Sequence, residues 1–96
     1  MEKVEDISGQ ELRVGDYVTI CSYNSIEFAQ VYKFTESCML CEYTRGISHS
    51  GKKYTGRLQP YLPEHKMKST NKKYPNRMFN VYKITKDQYD NYHNRL

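Results

Sequence analysis

Apolar and polar side chains alternate with a period of two over much of this chain, which places successive residues on opposite faces of a strand. The pattern is clearest in Tyr17-Val18-Thr19-Ile20-Cys21-Ser22-Tyr23, where β-branched and aromatic residues dominate and Val18 and Ile20 share a face. Asn24-Ser25 breaks the run. A second run over 27–34 places Phe28, Tyr32 and Phe34 on one face, with Ala29 and Val31 on the other. Thr35-Glu36-Ser37 fits a tight connection to a third run over 38–44, in which Met39, Cys41 and Tyr43 alternate with Cys38, Leu40 and Glu42. Connections this short predict an antiparallel meander, because parallel pairing needs a crossover of about a dozen residues or more.

The pattern returns at 78–84, where Met78, Asn80, Tyr82 and Ile84 alternate with Phe79, Val81 and Lys83 in a predicted last strand. Thr85-Lys86-Asp87-Gln88 then has the spacing of a capping box, and Ile84 and Tyr89 that of a hydrophobic staple. A short C-terminal helix is expected over 85–94, docking Tyr89 and Tyr92 or His93 on a barrel formed by the strands. Upstream of the first strand, residues 1–13 are short and acidic with a turn at Ser8-Gly9. Ser8 and Glu11 also have capping-box spacing, but no apolar helical run follows them.

Between 45 and 77 the alternation lapses. Gly46, Gly51, Gly56, Pro60, Pro63 and Pro75 punctuate the segment and disfavour long regular elements. Residues 53–58 fit a fourth, partly exposed strand, and 63–77 read as a long mobile loop of the kind that is functional or disordered. Charge changes the picture here. Nine bases stand against one acid, Glu64, for a net +8 over 45–77, with Tyr54, Tyr61 and Tyr74 set among them. The remaining residues carry six bases and ten acids, a net of −4.

Composition sets the scale. A length of 96 residues fits one domain, 1–96, and a chain this short buries only about 60–65% of its unfolded surface. Apolar content is low at 38%, but aromatics reach 14%, mostly through ten tyrosines, which argues against disorder. Tyrosine buries ring area while its hydroxyl keeps a polar partner, so it suits a half-wet core or a binding surface. No run approaches the roughly 18 apolar residues that span a bilayer. Met1-Glu2-Lys3-Val4-Glu5-Asp6 lacks the apolar stretch of a secretory signal, so a cytoplasmic protein without membrane attachment is expected. Cys21, Cys38 and Cys41 are odd in number and fit reduced thiols rather than a disulfide framework.

Leu12-x-Val14-Gly15-Asp16-Tyr17-Val18-x-Ile20 resembles the opening of small SH3-like barrels of the KOW and Tudor types, in which a Gly-Asp turn leads into the first core strand. Gln30-Val31 lies where such domains often place a Gly-x-Val step. The several glycines of the KOW signature are absent between Gly15 and Gly46. The resemblance implies a mainly β fold: a small five-stranded antiparallel SH3-like barrel with a long basic loop (45–77) before the last strand and a short C-terminal helix. It carries no binding site with it. Tudor-type barrels cage methylated side chains with several aromatics, a role that Tyr17, Tyr23, Phe28, Tyr32 and Tyr43 fill only if they converge. The short, Tyr- and Lys-rich, Trp-free chain is also similar in style to small accessory proteins of tailed bacteriophages.

Candidate chemistry narrows to one surface. Cys38-Met39-Leu40-Cys41 has metal-ligand spacing, but residues three apart on a strand face opposite ways and a zinc site needs about four ligands. Cys21 with His49 or His65 would have to complete it, so no metal and no cofactor are expected. A redox Cys-x-x-Cys belongs at a helix N-terminus after a βαβ pattern, and none is present. His49, His65 and His93 carry no nucleophile-base signature, and Gly51-Lys52-Lys53-Tyr54-Thr55-Gly56 lacks the spacing of a phosphate-binding loop. No enzyme and no small-molecule ligand are expected. Cations that neutralise phosphates, with tyrosines able to stack on unpaired bases, fit nucleic-acid binding. The candidate residues are Arg45, Lys52, Lys53, Tyr54, Arg57, Lys72, Lys73, Tyr74 and Arg77. The competing expectation is a phage-type inhibitor or adaptor that sets the same residues against an acidic surface of a host protein, such as a defence or nucleic-acid-processing factor.

Overall fold

The structure, a computed structural model, describes residues 3–22, 25–42 and 64–94. It is mainly β. The strands β1 (Tyr17–Ser22), β2 (Ser25–Phe34), β3 (Cys38–Glu42), β4 (Glu64–Lys66) and β5 (Val81–Ile84) precede one helix, α1 (Lys86–Asn94). All pairings are antiparallel, and the strands form one open sheet in the order β4-β3-β2-β1-β5. The meander β1-β2-β3 follows the alternation in the sequence, with Val18 opposite Ala29 and Val31 opposite Cys41. These side chains join Ile20, Met39 and Val81 on a single buried face. Val4, Leu12, Met67 and Met78 close over it from the connecting segments. Complete burial of a Val, Ile or Met side chain contributes about 1.5–3 kcal/mol each, which makes this face the main source of stability. Among the described residues no helix is long and apolar enough to cross a membrane.

Three departures from the alternation matter. The ladder between β2 and β3 slips between Val31 and Lys33, leaving Tyr32 half exposed and setting Phe34 opposite Met39 against the core. Phe34 therefore faces away from Phe28, because one extra residue in a strand reverses every later side chain. The predicted strand 53–58 lies outside the described residues. Instead a strand appears inside 63–77, read above as a loop, where Glu64–Lys66 extends β3 with His65 opposite Met39. Glu-His-Lys has no apolar alternation, and backbone pairing to the β3 edge makes it a strand. The last strand is shorter than 78–84. Residues 78–80 form a turn in which Val81 N–H donates to the Met78 carbonyl at 3.2 Å, so that Met78 and Val81 are both buried and Phe79 is turned outward.

The two termini of the sheet are fixed by local chemistry. At α1 the expected capping box forms: Gln88 N–H donates to Thr85 Oγ1 at 3.1 Å, and Thr85 N–H donates to Gln88 Oε1 at 2.8 Å. Tyr89 stacks on Tyr17 of β1 at 4.6 Å between ring centroids, tying the helix to the face of the sheet opposite the core. Gly15, at a φ of 94°, makes the turn into β1, a conformation that costs side-chain-bearing residues strain. Across it Gly15 N–H donates to the Val31 carbonyl and Val31 N–H to the Asp16 carbonyl, each at 2.8 Å.

Asp6, without exposed surface, organises the N-terminal turn. Its Oδ1 accepts from Ser8 N–H (2.9 Å), Ser8 Oγ–H (2.8 Å) and Gln10 N–H (2.8 Å). Its Oδ2 accepts from Gln10 Nε2 (3.3 Å) and from Lys83 N–H (2.7 Å), an outward-facing amide of β5. The next residue continues the cover, as Ile7 N–H donates to the Val81 carbonyl at 2.8 Å. The free edge of β5 is thus closed by the chain's own N-terminal turn, which removes a template for edge-to-edge pairing. Burial pushes the Asp6 carboxyl up, but the bonds from Lys83, Ser8 and Gln10 outweigh it and hold the group below its usual range.

Asp6→Asn is expected to destabilise the protein by about 2–4 kcal/mol, since an amide offers only one acceptor oxygen and turns a donor toward another donor. Because the folded-state pKa is lowered, Asp6 stabilises the fold fully above its unfolded value of 3.8, and this contribution fades as pH falls through the folded value. Urea melts of both proteins at pH 7 and across the acid range below pH 4 check this. The gap between them should shrink with acidification, and equal stability at pH 7 would refute the role.

Candidate nucleic-acid interface

The connection from β4 to β5 is built from small polar side chains that order its backbone. Met67 is buried, and its N–H donates to the Ser37 carbonyl at 3.0 Å. Ser69 N–H donates to the Pro75 carbonyl at 3.0 Å, which draws the ends of the turn together. Inside it, Asn71 N–H donates to Ser69 Oγ (3.0 Å), while Asn71 Oδ1 accepts from Lys73 N–H (2.9 Å) and Tyr74 N–H (3.2 Å). Asn and Ser favour such turns because their side chains bond backbone amides a few residues away. This hydrogen-bonded turn, with β4 ahead of it, stands where a long mobile loop was expected over 63–77.

Of the candidate residues, Arg45, Lys52, Lys53, Tyr54 and Arg57 lie outside the described residues. Lys72, Lys73, Tyr74 and Arg77 all fall in this connection. Lys72 and Lys73 are exposed at its tip. Arg77 differs, since its side chain is only 19% exposed and its guanidinium pairs with Glu5 at 3.5 Å. The guanidinium also stacks on the Tyr74 ring, 3.9 Å from the centroid, with Lys73 Nζ at 5.4 Å from the same ring. It passes so close to Gly9 that a Cβ there would lie 2.9 Å from Arg77 Nη2. Backbone bonds fasten the same place: Glu5 N–H donates to the Asn76 carbonyl (3.0 Å) and Met78 N–H to the Glu5 carbonyl (2.8 Å). Arg77 and Tyr74 therefore join the N-terminal segment to the basic connection.

Beside this joint runs a groove of ≈ 560 Å³ walled by Lys66, Lys68, Asn71, Arg77, Phe79 and Asn80. Residues 64–80 carry five bases and one acid. Lys66, Lys68, Lys72 and Lys73 are exposed, and none forms an ion pair among the described residues. Such a surface can take an anion without first breaking an internal pair. Lys66, Lys68 and Phe79 stand outside the set of candidates chosen from sequence. The two lysines were legible as part of the charge, but Phe79 was hidden by its place in an apparent strand.

The thiols divide by environment. Cys41 is buried on the core face, and desolvation pushes it up to about 12, leaving it a protonated, inert thiol. Cys38, one turn of the pleat away on the other face, is opposite Lys66, and Cys21 is exposed. Among the described residues no group of three or more His, Cys, Asp or Glu side chains is placed to hold a metal ion. His65 faces the core, where burial lowers its pKa and the Glu27 carboxylate partly opposes the shift. No protein-family model, curated protein or solved structure matches this chain.

Arg77→Ala should cost about 1–3 kcal/mol in thermal or urea unfolding, through loss of the ion pair and the stacked contact. Arg77→Lys should recover only part, because an ammonium lacks the planar face that lies on Tyr74. An Arg77→Ala protein as stable as the parent would contradict the joint. In thiol labelling of the native protein read by mass, Cys21 should react first and Cys41 only on unfolding. Labelling of Cys41 at the rate of Cys21 would contradict its burial.

Proposed function

We propose that this chain is a non-enzymatic SH3-like binding module that engages nucleic acid through its basic segment. The observation that carries the reading is the groove walled by Lys66 of β4 and Lys68 of the β4–β5 connection, with Lys72 and Lys73 exposed further along that connection and none of the four in an ion pair among the described residues. One feature supports the barrel: the first strand lies between the second and the last, the arrangement of a five-stranded meander whose last strand returns to the first. Three free cysteines fit action in a reducing cytoplasm, that of the host for a phage product.

A second reading is favoured by the sheet face opposite the core. Ile26 and Tyr82 are 63% and 48% exposed, and they flank β1 through the pairs Cys21 with Ile26 and Thr19 with Tyr82. Exposed apolar side chains on one sheet face suit a protein partner, as an inhibitor or adaptor would need.

Titration against labelled single- and double-stranded DNA and RNA tests the first reading. With about four phosphates neutralised, affinity should fall roughly 50- to 150-fold between 50 and 200 mM salt. Reversal of Lys72 and Lys73 to Glu should weaken binding and flatten the salt slope. Affinity that ignores both would refute nucleic-acid binding. Capture of one protein in fixed stoichiometry after nuclease treatment, abolished by Ile26→Asp with Tyr82→Asp, would favour the second reading.

A further inference from the structure

We infer that the groove takes a single-stranded polynucleotide and that Phe79 is the platform on which an unpaired base stacks. The inference rests on the nucleic-acid reading and names which form of the ligand the site accepts. The tyrosine that the sequence offers for stacking here, Tyr74, already carries the Arg77 guanidinium on its ring at 3.9 Å. A base would have to displace a group that also pairs with Glu5 at 3.5 Å. Phe79 lies on the wall of the same groove, is 43% exposed, and is, among the described residues, the one aromatic ring on a wall that also holds Lys66, Lys68 and Asn71 with the buried Met67 and Met78.

The backbone under Phe79 is fixed on both sides. Val81 N–H donates to the Met78 carbonyl at 3.2 Å, Cys21 N–H donates to the Asn80 carbonyl at 2.8 Å, and Met78 anchors the turn in the core at 3% exposure. A ring so mounted needs little ordering when a base settles on it, so little of the stacking energy is lost to entropy. Lys66 and Lys68 supply cations for the adjoining phosphates. The Asn71 side chain, whose oxygen is occupied by Lys73 and Tyr74 amides, keeps its NH₂ to donate. A basic track with an aromatic face is the arrangement that binds single strands with little regard to sequence. Duplex bases are already stacked on each other, so an exposed phenyl ring adds little to duplex binding.

Fluorescence anisotropy with a labelled single-stranded oligonucleotide of roughly 12 nucleotides and a labelled hairpin duplex tests this. The proteins are the full chain, F79A, F79L, F79Y and the K66E/K68E double variant, each checked for folding by its thermal melt. F79A and F79L are expected to lose about 5- to 150-fold in single-strand affinity, F79Y to keep most of it, and duplex affinity to change less than about twofold in all three. The lysine reversal should weaken both ligands. F79L separates loss of the aromatic face from loss of bulk, and it serves if F79A does not fold. Single-strand affinity unchanged in F79L, with binding still lost in K66E/K68E, would overturn the role of Phe79 and leave the basic interface standing. Absence of binding to either ligand by the parent protein at low salt would overturn both.

Discussion

A carboxylate shut off from solvent, Asp6, sets the geometry on which the basic surface depends. An isolated buried charge is strongly disfavoured, and five hydrogen bonds, two of them from Ser8 and Gln10 amides and one from Lys83 of β5, offset that cost. Those bonds fix the turn at 6–10 and lay the N-terminal segment along the outer edge of β5. Once there, Glu5 meets residues 76–78 by backbone bonds and Arg77 by an ion pair. The chain from Asp6 to Glu5 to Arg77 to Tyr74 thus carries order from the sheet edge into the connection that holds the lysines.

This gives the positive residues two distinct uses. Arg77, with its planar face on Tyr74 and its Nη2 paired with Glu5, is a structural cation. A guanidinium suits that position because it is more weakly hydrated than an ammonium and stacks well. The lysines around it, Lys66, Lys68, Lys72 and Lys73, remain in water and form no ion pair among the described residues. Removing an exposed lysine should therefore have little effect on folding, whereas removing Arg77 unfastens the joint with Glu5 and Tyr74.

The two faces of the sheet are equally distinct. On the core face aliphatic side chains, methionines and Cys41 exclude water, and His65 beside Met39 is pushed toward its neutral form. On the other face Tyr89 of α1 covers Tyr17, while Ile26 and Tyr82 keep about half or more of their surface in water. The short helix, fixed by the Thr85–Gln88 box, is too small to cover the rest of that face.

Alternation by twos, visible in residues 17–22 and 38–42, determined the meander and which residues share a face by itself, because a strand's side-chain period is built into its backbone. The helix was equally legible, since a capping box is satisfied by residues three apart and needs no distant partner. The excess of lysine and arginine over 45–77 was plain from composition, and it set the sign of the candidate surface. Tertiary structure decided the rest. The slip at Tyr32 turned Phe34 inward, pairing with β3 made a strand of Glu64–Lys66, and the turn at 78–80 sent Phe79 outward; each depends on a partner distant in sequence. Which cations stay free was decided in the same way, for Arg77 and Lys72 look alike in sequence, and only contact with Glu5, Gly9 and Tyr74 makes one of them part of the frame.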